Sequence, residues 1–145
     1  MGNPNTSSSV AVVVDWYGPT ENFLKLDEEL RENGLGIPGE EHSAEDSPES
    51  LLLGKKITEV PDLVAFASPI KYITPDAPYF LIQHGRIDPG IPVQQSMHFA
   101  SALERIAGND KVIFEILEGA QHADPAFETP DNVERVFRFL DSHLK

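Results

Sequence analysis

Unbroken apolar runs and stretches with an apolar residue at every third or fourth position divide this chain into alternating elements. Val10-Ala11-Val12-Val13-Val14 carries β-branched residues on both faces and predicts a fully buried strand, ended by Asp15 to Thr20. Tyr79-Phe80-Leu81-Ile82, opened by Pro78, is apolar on both faces as a central parallel strand requires. Gly85 then begins a turn closed by Pro89-Gly90, which sets Asp88 just past the strand's carboxyl end. Lys111 to Leu117 predicts a third strand, with Gly119-Ala120-Gln121-His122 as the turn after it.

Helical spacing fills the intervals. Phe23, Leu24, Leu26 and Leu30 predict a helix stopped by Asn33-Gly34. Ser47-Pro48-Glu49-Ser50 reads as a helix start with Ser47 as N-cap, and Pro61 to Ala67 as a short helix stopped by Ser68-Pro69. Met97, Ala100, Leu103 and Ile106 mark a crossover helix over Gln94 to Ala107, with Gly108-Asn109 as its stop. Thr129-Pro130 starts the last helix, whose buried stripe is expected at Val133, Val136, Phe137 and Leu140. The order predicts an α/β chain: a three-stranded parallel sheet with flanking helices in one domain over residues 1–145, with residues 21–76 a lid-like excursion between the first two strands. A first element that is a doubly buried strand has no sequence-local neighbours to cover it, so a preceding part of the sheet is expected outside this chain.

Charge narrows the partners. Eleven basic residues against 24 acidic ones give a net charge of -13, which repels nucleic acid phosphates and anionic membrane surfaces. The acid is concentrated between Glu21 and Ser50, expected as a solvated surface segment. No apolar run reaches the roughly 20 residues of a membrane span, and the first nine residues do not pattern as a signal peptide, so a cytoplasmic location is expected. Without cysteine there is no thiolate chemistry. No glycine-rich phosphate loop and no short metal-ligand spacing occurs, so neither cofactor nor metal is expected.

Two titratable residues stand at strand exits, Asp88 and His122, where open α/β sheets present reacting groups. Adjacent parallel strands would bring them side by side. A carboxylate that orients an imidazole is two thirds of a hydrolytic triad. The alternatives are an Asp88 that only shapes its turn and a His122 that is a loop histidine near solvent. His84 reads as a structural hydrogen-bonding residue, His42, His98 and His143 as surface residues, and Trp16 and Tyr17 as packing beneath the excursion rather than lining an acyl pocket.

Read together, four stretches resemble the carboxyl-terminal half of the α/β-hydrolases, in the bacterial branch of acetyl and feruloyl esterases and hormone-sensitive-lipase-like carboxylesterases. They are Asp15 to Thr20 (DWYGPT), Ser47 to Leu53 (SPESLLL), Ala67 to Pro92 and Gly119 to His122 (GAQH). The resemblance implies a carboxylic ester hydrolase without cofactor, Asp88 as triad acid and His122 as triad base. Two departures touch that turn: Arg86 replaces a common acidic residue, and Ala123-Asp124-Pro125 a glycine-richer continuation. The family's Gly-x-Ser-x-Gly elbow and its oxyanion loop are absent from the 145 residues, since no serine has glycine two places before and two after. The resemblance therefore implies a chain that is a poor esterase alone, acts on a small-molecule ester only with a serine from elsewhere, and forms a homo-oligomer or joins a complementing N-terminal half. The other reading is a non-catalytic α/β module that binds or assembles through its exposed sheet edge.

Overall fold

The computed structural model describes residues 5–144. Three strands, β1 (Val12–Trp16), β2 (Tyr79–Gly85) and β3 (Val112–Leu117), form one parallel sheet in the order β1-β2-β3. Val13 pairs with Phe80 and Ile82 with Phe114, so the three carboxyl ends come to one rim. The expected architecture, a parallel three-stranded sheet flanked by helices, is the one observed.

One face packs on α4 (Gln94–Ala107), which spans the residues expected and ends at Gly108. Ile82, Phe99, Ala100, Leu103 and Val112 make this core. Burying a side chain such as Leu103 fully contributes about 2 kcal/mol, so this layer supplies most of the sheet's hold on the helix. The other face packs on α5 (Pro130–His143), capped by Thr129. Its seam is partly polar: Gln83, wholly buried, donates to Glu115 and Asn132 and accepts from the Trp16 indole, leaving none of its amide groups orphaned. The stripe on α5 departs from expectation. Phe139 is the buried aromatic and Phe137 is 61% exposed, because the helix is turned to bring Asn132 onto Gln83.

β1 also differs. It begins two residues later than Val10, which is 60% exposed, and runs through Asp15 and Trp16. All five of its residues are half-buried rather than buried, since among the described residues only β2 pairs with it.

Residues 21–76 hold α1 (Leu26–Glu32), α2 (Pro48–Leu53) and α3 (Pro61–Ala67), with an apolar cluster of their own at Phe23, Leu26, Ile57 and Val64. Ser47 caps α2 through its hydroxyl, accepting from the Ser50 amide as the sequence indicated. The segment is not simply a solvated surface. Glu29, His42 and Glu49 are buried in it, and Asp27 folds the 42–43 turn by accepting both backbone N–H groups there. No helix among the described residues is long and apolar enough to cross a membrane.

Candidate active site

The approach of two turns at the sheet rim builds the site. Gly85, the last residue of β2, passes so close to the turn after β3 that a Cβ on it would stand 2.4 Å from the Ala120 carbonyl oxygen. Only glycine permits this contact. Backbone bonds from Arg86 to Leu117 (3.0 Å) and from Ile87 to Ala120 (3.1 Å) then lock the two turns together.

Within that frame the His122 Nδ1 donates to Asp88 Oδ2 at 2.8 Å. The other carboxylate oxygen accepts from the Gly90 and Ile91 amides, each at 2.8 Å, so Asp88 is held at both ends in full burial. Burial works to raise its pKa. Hydrogen bonds from His84, from the Ile91 amide and from His122 outweigh it and hold the carboxyl below the ordinary carboxylate range. Because an ionised carboxylate only accepts, Nδ1 of His122 carries the proton and Nε2 is left as a base. The imidazole is 42% exposed, so the ring is reachable from solvent.

Surrounding groups fix this pair. His84, wholly buried as a structural residue, approaches Ser96 Oγ with Nδ1 (2.7 Å) and donates from Nε2 to the Ile91 carbonyl (2.9 Å), 3.4 Å from Asp88 Oδ2. Ser96 is thus buried and engaged by His84. Tyr17 packs against the base turn. Its ring lies 4.4 Å from that of His122 and 4.9 Å from Phe127, while Trp16 packs on Phe127 at 5.7 Å. Both aromatics therefore brace the base turn. Tyr17 and Ala123, the residue after His122, hold φ of 50° and 51°, a left-handed backbone uncommon outside glycine. Ala123 takes the conformation for which the glycine-richer sequences of the resembled family are suited.

Sequence reasoning missed His42. It is buried, not a surface group, and its Nε2 donates to the Gly90 carbonyl at 2.7 Å. No periodicity announces it, since what buries it is the Asp27 turn. His98 is a surface residue as expected, paired with Glu21 at 2.6 Å. With Glu29 these two form the one group of three possible ligand side chains among the described residues. His143 is half-buried, its ring 4.1 Å from Tyr79 and 4.7 Å from Phe139.

Asp15, half-buried on β1, has a buried Oδ2 with no hydrogen-bond partner among the described residues. Burial raises its pKa, against the lowering pull of His84 and of the Gly18 amide.

The sequence model of the BD-FAE family matches residues 2–103, well over half of the chain, a stretch that contains Asp88 but not His122. Esterase LipQ of Mycobacterium tuberculosis is 39% identical over 75 residues, 52% of this chain and 18% of LipQ. Among solved structures, a truncated form of a carbohydrate esterase from gut microbiota aligns over 97% of the chain at 29% identity and a TM-score of 0.75. A bifunctional GH43-CE protein of Bacteroides eggerthii aligns over 99% at 27% identity and a TM-score of 0.78. The chain spans less than half of either, 45% and 17%, and the stretch matched in LipQ is under a fifth of that protein.

Proposed function

Since the chain belongs to the BD-FAE family, we propose that it supplies the acid Asp88 and the base His122 of a Ser-His-Asp triad in a carboxylic ester hydrolase. The observation that carries this reading is the 2.8 Å contact between a buried carboxylate and a solvent-reachable imidazole. Nε2 of His122 takes the proton from a serine hydroxyl as that oxygen attacks the ester carbonyl. Asp88 keeps the imidazole in the required tautomer and offsets its charge once protonated. The serine and the donors for the tetrahedral oxyanion come from outside these 145 residues. Residues 21–76 act as a lid-like cover over the rim. Acylated sugars are the esters to try first, because one structural relative is a carbohydrate esterase.

Alone, the 145-residue chain is expected to show at most trace turnover of short-chain p-nitrophenyl esters and no labelling by a fluorophosphonate probe, since both need the missing nucleophile. Joined to a Gly-x-Ser-x-Gly segment it should label and turn over, and His122→Ala should abolish both. Robust turnover by the chain alone would overturn the division of labour. A joined protein indifferent to His122→Ala would overturn the triad.

The half-buried β1, unpaired on its outer edge among the described residues, favours a second reading: association through that edge, with a second copy or the complementing half.

A further inference from the structure

The turn that carries Asp88 receives one hydrogen bond from residues 21–76 among the described residues, and it comes from His42. Gly90 is gripped from both sides. Its N–H donates to Asp88 Oδ1, and its C=O accepts from His42 Nε2. A Cβ on Gly90 would lie 3.4 Å from Asp88 Oδ1 and 3.6 Å from His122 Cγ, so this peptide rests directly on the acid–base pair. Movement of the Gly90 peptide would therefore move the carboxylate and, through it, the imidazole.

His42 is itself held on every side. Its N–H donates to Asp27 Oδ1, its carbonyl accepts from Ser47 Oγ, and its Nδ1 lies 2.9 Å from Glu49 Oε2. Nδ1 and Oε2 are thus in close electrostatic contact, and neither has another hydrogen-bond partner among the described residues. Burial opposes charge on both. Their mutual attraction prevails, holding the imidazole above its ordinary range and the Glu49 carboxyl below the usual one. Two buried ionisable groups, one in a turn and one in the first turn of α2, are costly to keep unless they act on something.

We propose that His42, oriented by Glu49, is a positioning residue that sets the Gly90 peptide, and through it the Asp88–His122 pair, from the far side of the acid turn. The inference rests on the acid–base reading above, but its test does not need ester turnover. In neutral His122 the proton sits on Nδ1 only because Asp88 stands in place, whereas free imidazole favours Nε2–H. Nitrogen NMR of the 15N-histidine-labelled chain, followed from about pH 7 to pH 9, reads that tautomer in the neutral fraction of His122 across the titration of the other histidines. The signal is assigned by its loss in His122→Ala.

Wild type should show His122 fixed as Nδ1–H. His42→Asn places its amide where Nδ1 was, keeps Glu49 as neighbour and cannot reach Gly90, so His122 should shift to a mixture dominated by Nε2–H. His42→Gln places an amide nitrogen near the position of Nε2 and should restore the Nδ1–H form. Glu49→Gln, which frees the imidazole to turn, should give an intermediate mixture. A merely structural His42 would lower the melting temperature alike in Asn and Gln variants and leave His122 on Nδ1–H in both. That result, or equal tautomer mixtures in the two, would overturn the inference. Fluorophosphonate silence in the joined protein with the Asn/Gln contrast intact would overturn the hydrolase reading alone.

Discussion

The seam between β2 and β3 and the outer edge of β1 are made of similar residues and end in opposite conditions. Along the seam six residue pairs run in register, and two further backbone bonds carry the closure into the turns that hold Asp88 and His122. Along the edge Val12, Val13 and Val14 are half-buried, and among the described residues nothing pairs with them on that side. The contrast separates the proposed acid–base pair from the edge. The acid–base geometry is fixed by main chain within one polypeptide, while the side on which the proposed serine segment would sit is open.

The largest effect should come from breaking the closed side. Gly85→Ala drives a methyl into the Ala120 carbonyl, where main chain must move, and is expected to destabilise by about 3 kcal/mol or more in urea unfolding. Wild-type stability there would mean that the turns are held by something other than their close approach. Next, Asp88→Asn should lower stability by about 2 kcal/mol at pH 7. The sign of its pH dependence follows from a native pKa held below the ordinary 3.8: the contribution is present above that value and lost as pH falls through the lower native one. The gap between wild type and variant in urea titrations should therefore close as pH falls below 3.8, and a gap constant down to pH 2 would contradict the depressed carboxyl.

The open side is tested by mass. In β1 the backbone groups of Ala11 and Tyr17 bond β2, so by parallel alternation the Val14 N–H points outward. Val14→Pro removes an outward donor and no bond to β2, and it should convert a concentration-dependent oligomer into a folded monomer by light scattering. A wild type that is monomeric at all concentrations would show the edge to be harmless. The smallest effect is expected beside the base: Ala123→Gly relieves a φ of 51° and should gain about 0.5 to 1 kcal/mol, read as a modest rise in melting temperature.

How far the sequence carried depends on which forces act locally. The bounds of α3 and α4 and the Ser47 cap were legible because apolar spacing, proline at the first turn and a glycine stop are all encoded within a few residues. β1 was displaced by two residues because its limits are set by pairing with Tyr79 to Gln83, some 67 positions away, which no local count of valines contains. α5 offered two overlapping apolar stripes, and the choice of Phe139 over Phe137 was made by a buried polar contact between Asn132 and Gln83. Of the site, Asp88 and His122 could be placed from strand exits alone. His42 and the Tyr17 ring could not, since each reaches the site by a long-range fold of an irregular segment.

The close passage of Gly85 beneath Ala120 has one more consequence. Orienting an acid and a base costs freedom, and for the proposed pair that cost is met when the sheet folds, before any substrate or serine arrives. A segment bringing the nucleophile and the oxyanion donors would meet a base already aimed, so only the segment's own groups would be left to align.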